Sequence, residues 1–277
     1  MKWTSRILLF ALIAVAAFPM RTAAAASLET PEELGLRQLA NNIYVSPEMP
    51  GEQVEQAVAL VDQARERVRQ FYGEPLARPK IVICATQECY CEFGAVGLGF
   101  TDGRNLVISP QGLRLPIIAH ELAHVEFTAR VGSFAKVLQD VPQWFDEGQA
   151  VLISMAEEFS ETAWREATAD GRHAPPLAAL AAMDDWTRLT GAGGEYMQFT
   201  YGTARREVGR WFDRAGPAGL QALPQALRNG ETFAEAYARI GGRQHVVDNL
   251  PPADRQTAAA RLPVLPDVPD NFIRAAW

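Results

Sequence analysis

Two histidines four residues apart, the first followed at once by a glutamate, stand in PIIAHELAHVEF, residues 116 to 127. A helix turns about 100° per residue, so His120 and His124 leave one face a turn apart, where two imidazoles reach a single ion. Glu121 falls on the adjacent face. With zinc roughly 2.0–2.1 Å from each imidazole nitrogen, that carboxylate stands beside an open coordination position and can take a proton from a metal-bound water. A random chain of this composition shows H-E-x-x-H on the order of 0.004 times, which weighs against a helix that merely happens to carry two histidines.

A catalytic zinc site takes three protein ligands and leaves a fourth position open. A histidine ligand six residues after the second would require glycine and histidine at positions 127 and 130. The chain has Phe127 and Arg130 there, which excludes that class. The next helical stretch offers PQWFDEGQA, with Glu147 23 residues after His124. A carboxylate on a second helix, reached through the short connection VGSFAKVLQ, completes a site of two histidines and one glutamate. Asp146, about 100° away around that helix, and His173 in the loop DGRHAPP are the rival ligands.

HELAH followed by PQWFDEGQA resembles the gluzincin metallopeptidases and, more narrowly, the peptidase MA-like family of exported bacterial proteins. The resemblance covers roughly residues 75 to 241 and is specific in its two metal motifs. It implies one zinc ion per chain on His120, His124 and Glu147, with Glu121 as the general base of peptide hydrolysis. Tyr201, in YGTARREVGRWFDRAG, stands where such proteins open a helix with tyrosine. That position implies a phenol donating a hydrogen bond to the oxyanion, the alternative being a core or capping tyrosine. Val151 departs from the pattern, since better-known gluzincins carry there an aspartate that holds one histidine in its working tautomer. Asp146, Glu126 or a backbone carbonyl must then do the orienting. The implied partner is a peptide or protein lying along an edge strand near GLGFTDGRNLVIS. The alternative is a non-catalytic cell-envelope binding or assembly protein that keeps a structural or vestigial zinc site. The missing aspartate favours it, and the intact Glu121 argues against it, because a structural site has no use for that residue.

The elements that must position these residues are legible in the flanks. NIYVS, KIVICAT and NLVISP read as short strands, with TDGR as the turn before the last. GAVGLGF lacks the lysine and following helix of a phosphate loop and reads as a bulged strand or loop. Val54, Val58, Val61, Val68 and Phe71 mark one face of a helix between Gly51 and Gly73 that should pack on the sheet. ETPEELGLRQLA reads as a short helix with Thr30 as N-cap, Pro31 at its first position and Glu33 closing a capping box. PIIAHELAHVEFTARVG should form one helix ending at Gly132, and DVPQWFDEGQAVLISMAEEF another of about five turns. YMQFTYGTARREVGRWFDRAG, AGLQALPQALRNG and TFAEAYARIGG read as three more, each stopped by glycine. Trp144, Trp164, Trp186 and Trp211 can line a cleft, although aromatics at helical spacing are more often core. Strands first and helices second predict an α+β fold: a small N-terminal mixed sheet packed on a zinc-binding active-site helix, with a mostly helical C-terminal half. The expected division is 27–115 for the part with the sheet and edge strand, 116–248 for the helical zinc-binding part, and 249–277 for a proline-rich tail.

The 277 residues, 48% hydrophobic and 21% charged, suffice for one large or two small domains. Residues 1–26 join a basic start, MKWTSR, to an apolar run of twelve and the small residues TAAAAS, the pattern of a cleaved secretory signal peptide. No later apolar run reaches spanning length, which predicts a periplasmic or secreted protein with no stable membrane insertion. Removing Lys2, Arg6 and Arg21, and no acid, from 26 basic and 33 acidic side chains leaves a net charge of about −10, unsuited to nucleic acid. Cys84, Cys89 and Cys91 fit a pairing of Cys84 with Cys89 or Cys91 in an oxidising compartment. A Cys-x-Cys metal site lacks further nearby ligands.

Overall fold

Short β-branched runs give the strands, and longer apolar-periodic stretches give the helices that cover them. A computed structural model describes residues 26–191, 193–242 and 275–276. In chain order the elements are β1 (Arg37–Gln38), β2 (Ile43–Val45), α1 (Gly51–Tyr72), β3 (Ile81–Ile83), α2 (Gln87–Glu92), β4 (Val96–Gly97), β5 (Gly99–Thr101) and β6 (Leu106–Ile108). They continue with α3 (Leu115–Val131), α4 (Phe134–Asp140), α5 (Gln143–Ser154), α6 (Glu161–Ala167), α7 (Met183–Gly191), α8 (Glu195–Arg228), α9 (Phe233–Ile240) and β7 (Ala275–Ala276). The fold is α+β, with a five-stranded mixed sheet followed by a mostly helical part, as expected.

The sheet order is β1-β2-β3-β6-β5. Strands β2, β3 and β6 are parallel, while β1 and β5 run antiparallel to their neighbours at the two ends. Side chains alternate across a strand, so Ile43, Val45, Ile81, Ile83, Leu106 and Ile108 enter the core shared with the helices. Tyr44, Val82 and Val107 enter a smaller core on the other face with Tyr90 and Phe93. The larger core reaches from Ile43 to Tyr237 and joins the sheet to the helical part. Helix α3 lies at its centre, against α1, α5 and α8, and every residue from Ile117 to Thr128 is buried. Burying a polar side chain costs free energy unless it is paired, so the polar residues of α3 call for specific partners.

Glu126 shows how. Its two carboxylate oxygens accept the backbone N–H groups of Leu76 and Ala77, each at 3.0 Å, and the Arg130 guanidinium at 2.7 Å. Arg130 in turn lies over the Tyr72 ring and donates to the Glu74 carbonyl. This cluster ties the connection from α1 to β3 onto α3, so Glu126 serves the fold and faces no histidine.

Several expected boundaries shift. The Thr30 segment forms a single 3-10 turn, Pro31–Leu34, without a side-chain cap, and Gly35 ends it in the left-handed region at φ 74°. The connection after Gly132 contains α4, capped by Ser133, which accepts from the Lys136 N–H. Helix α5 stops at Ser154 and does not run to Phe159: Met155 is left-handed at φ 54°, and the Arg67 guanidinium donates to the Ser154 carbonyl. Helix α8 contains the two expected helices, meeting at Gly216 with φ 63° ahead of Pro217. GAVGLGF forms β4 and β5, interrupted at Leu98. Cys84 pairs with Cys89, leaving Cys91 exposed as a thiol. The signal segment at residues 1–26 lies outside the described residues except for Ala26. The tail at 249–277 lies outside them except for Ala275 and Ala276, whose strand pairs with β4. Among the described residues no helix is long and apolar enough to cross a membrane.

Replacing Glu126 with alanine strands two backbone donors and a guanidinium in the interior. The expected loss is about 2–4 kcal/mol in urea unfolding with metal content per folded protein unchanged, and an E126A protein of parental stability would contradict this role.

Candidate metal centre

His120 and His124 project from α3 toward α5, whose first turns carry Asp146 and Glu147. Gly148 sets how closely α5 packs on α8. A Cβ there would lie 2.6 Å from the Ala204 carbonyl oxygen and 2.7 Å from a Val208 methyl, so only glycine fits between the two backbones. That is a physical reason for the glycine that follows Glu147 in the sequence.

His120, His124 and Glu147 form a group whose ligand atoms all lie within 4.8 Å of one another, suited to a metal ion. The two Nε2 atoms are 3.1 Å apart, and Glu147 Oε2 lies 3.3 Å from that of His120 and 3.5 Å from that of His124. An ion bound tetrahedrally at roughly 2.0–2.1 Å separates its ligand atoms by about 3.3–3.4 Å, so this triangle has the size of one face of such a tetrahedron. Glu147 Oε2 is buried. Its placement beside two imidazole nitrogens suits atoms that share a cation better than atoms bonded to each other. Glu147 Oε1, by contrast, accepts from the Gln143 side chain at 2.9 Å, one turn earlier on α5.

Asp146 completes the arrangement from behind. Its Oδ1 lies 3.1 Å from His124 Nδ1, which favours the ring proton there and turns the Nε2 lone pair toward the other two ligand atoms. Asp146 thus does the orienting that Val151 cannot, and Val151 is fully buried in the apolar core. The backbone of Asp146 is itself held. Gln149 donates to its carbonyl at 2.9 Å and accepts from the Tyr72 hydroxyl at 3.0 Å. His173 is exposed in the turn after α6 and takes no part in the group.

The electrostatics favour a cation. Burial opposes charge on Glu147, yet the two imidazoles outweigh it and hold the carboxyl below its usual range. Burial likewise opposes charge on His124, and Asp146 and Glu147 outweigh it, holding the imidazole well above its usual range. His120 is shifted down, chiefly by burial. Burial pushes Glu121 up to about 8, with Glu147 and Asp146 adding to the rise and His124 opposing it. Three carboxyl groups in one buried place call for compensation. Among the described residues lining the cleft none is lysine or arginine.

Glu121 is 2% exposed, and its Oε1 has no hydrogen-bond partner. Edge strand β5 crosses directly above it. A Cβ on Gly99 would come within 2.8 Å of Glu121 Cγ and 2.9 Å of Oε1, so the bare backbone of Gly99 leaves the carboxyl its space. Tyr201 is also buried. It stacks on Phe159 at 5.1 Å, meets Trp186 edge-on at 5.0 Å and has its ring centre 6.3 Å from that of His120. Burial raises its phenol well above the usual range, and the charge of Glu147 adds to this, against a hydrogen bond with Trp186. His120, Glu121, His124, Asp146, Glu147 and Tyr201 all border one cleft of about 450 Å3, open between β5 and α7. Of the four tryptophans read as possible cleft residues, only Trp186 lines it. Three positions went unread in sequence: Gln143, Gly99 and the partnership of Trp186 with Tyr201. Gln143 alone had a local signal, its i, i+4 spacing from Glu147.

In comparison with known proteins, the chain matches no protein-family model and no curated protein. The fold and the site define its class: an α+β protein with a candidate metal centre of two histidines and a glutamate.

Zinc affinity, measured by chelator competition, should separate the three rival residues. Replacing Glu147 with Gln should abolish stoichiometric binding, Asp146→Ala should weaken it by about 10–100-fold, and His173→Ala should leave it unchanged. Equal losses from the Glu147 and His173 variants would contradict the assignment.

Proposed function

We propose that the protein is an exported zinc metallopeptidase of the gluzincin type. The observation that carries this reading is the triangle of Nε2, Nε2 and Oε2 atoms at 3.1–3.5 Å with the buried carboxyl of Glu121 next to it at the floor of an open cleft. The donor set suits zinc: two imidazoles and one carboxylate leave a tetrahedral ion its fourth position. His120, His124 and Glu147 would hold the ion, which would supply Lewis-acid polarisation of a carbonyl and a more acidic water.

The residues of the chain do the rest. Glu121, whose carboxyl borders the same cleft as the three ligand atoms, takes a proton from the attacking water and passes it to the leaving amine. Tyr201 donates its hydroxyl hydrogen to the oxyanion as the carbonyl becomes tetrahedral, and its aromatic neighbours fix the ring for that task. Asp146 keeps the His124 ring in the required tautomer. Strand β5 ends the sheet, so its outer edge at Gly99 and Thr101 offers main-chain groups to an extended peptide. The signal-like residues 1–26 and the Cys84–Cys89 disulfide both support an extracytoplasmic location.

Exchanging Glu121 for Gln should leave zinc content at parental level and lower peptide hydrolysis by about 10²–10⁴-fold. Tyr201→Phe should lower kcat by about 10²-fold with little change in KM. Undiminished turnover by E121Q would contradict the mechanism.

A further inference from the structure

The walls of the cleft, and not only its floor, carry information about what enters. On one side, Phe134 and Leu138 stand four residues apart on α4 and so share a face. Phe134 lies across the turn that ends the edge strand: a Cβ on Gly103 would come within 2.5–2.7 Å of its side chain. Leu138 is 44% exposed and lines the cleft together with Phe134. On the other side stand Met183 and Trp186 from α7 and Met197 from α8. Both apolar groups border the same cleft as the metal-centre residues.

Charge narrows the choice further. A carboxypeptidase needs a cation for the terminal carboxylate of its substrate, and an aminopeptidase needs an acid free to hold the terminal ammonium. Among the described residues lining the cleft there is no lysine or arginine, and the acids are Asp146 and Glu147, which meet the histidines, and Glu121, buried beneath Gly99. Those same acids disfavour an acidic side chain in the cleft. Two methionines on one wall give a flexible surface that adapts to more than one apolar shape.

We infer that the cleft takes an internal stretch of polypeptide with a large uncharged apolar side chain beside the scissile bond, accepting leucine, methionine and phenylalanine alike. This rests on the peptidase reading above and adds its substrate class: cleavage within a chain and not at its ends. Leu138 on α4 and Met183 on α7 are specificity-determining residues of the cleft.

The test separates the two ideas. Zinc-loaded E121Q protein is titrated calorimetrically with extended peptides acetylated and amidated at their ends, differing only in whether the central residue is Leu, Phe, Ser or Glu. The Leu and Phe peptides should bind about tenfold or more tighter than the Ser peptide, and the Glu peptide weakest. Leu138→Asp, a change at an exposed site that leaves zinc content intact, should weaken the Leu peptide about tenfold, and Met183→Asp should do so from the other wall. Equal binding of all four peptides, no binding of any, or binding only after a terminus is unblocked would overturn the inference. The parental enzyme is then incubated with the same peptides and the products are weighed by mass spectrometry. Apolar peptides that bind but are never cut would refute the peptidase chemistry and leave the cleft assignment standing. Cutting without apolar preference would refute the cleft assignment and leave the chemistry standing.

Discussion

Two imidazoles and a carboxylate buried within 3.5 Å of one another are the constraint around which this structure is arranged. Bringing such groups out of water costs several kcal/mol per charge unless each finds a partner. Here the apolar surroundings supply none. Val151, Phe145 and Ala150 on α5 and Ile117, Ala123 and Phe127 on α3 are core residues, and within them the ligand groups meet one another, Asp146 and Gln143. A shared divalent cation would resolve that conflict in one step, satisfying all three ligand atoms and offsetting the carboxylates.

The scaffold can be understood as the means of holding that cluster still. Helix α3 is pinned at its far end by Glu126 and Arg130, which bind the chain entering β3. Helix α5 is pressed against α8 through Gly148 and tied to α1 through the Tyr72–Gln149 hydrogen bond. The sheet contributes its edge: β5 passes over Glu121 with a glycine at the point of closest approach. Ligand geometry of this kind survives only on rigid, well-packed elements, and each of these contacts removes one way for the two helices to slide.

How much of this was legible in the sequence depended on how local the cause was. His120, Glu121 and His124 are set by helical periodicity alone, and all three lie on α3 as the spacing of HELAH implies. Glu147 was legible because its motif has a recognisable form, although its distance to the histidines follows from packing. The role of Asp146 was not legible: one residue from Glu147, it was equally open as rival ligand or orienting group, and only the angle between α3 and α5 decides which atom meets which ring nitrogen. Glu126 was another candidate for that task and turned out to serve the backbone of Leu76 and Ala77. The strands at Ile43, Ile81 and Leu106 were found, whereas α6 and α7 were not: both are short, Glu161–Ala167 and Met183–Gly191, and take their places by packing on α8. Thr30 had the composition of a capping box, but Gly35 stops the turn before an α-helix can form.

The most direct test of the account is X-ray absorption at the zinc edge on the purified protein loaded with one equivalent of zinc. The account predicts nitrogen and oxygen neighbours only, at roughly 2.0–2.1 Å, with the outer-shell scattering of two imidazoles. One imidazole should be lost in a His124→Ala protein. A sulfur neighbour at about 2.3 Å, or a spectrum with no imidazole contribution, would place the metal elsewhere and contradict the centre described for His120, His124 and Glu147.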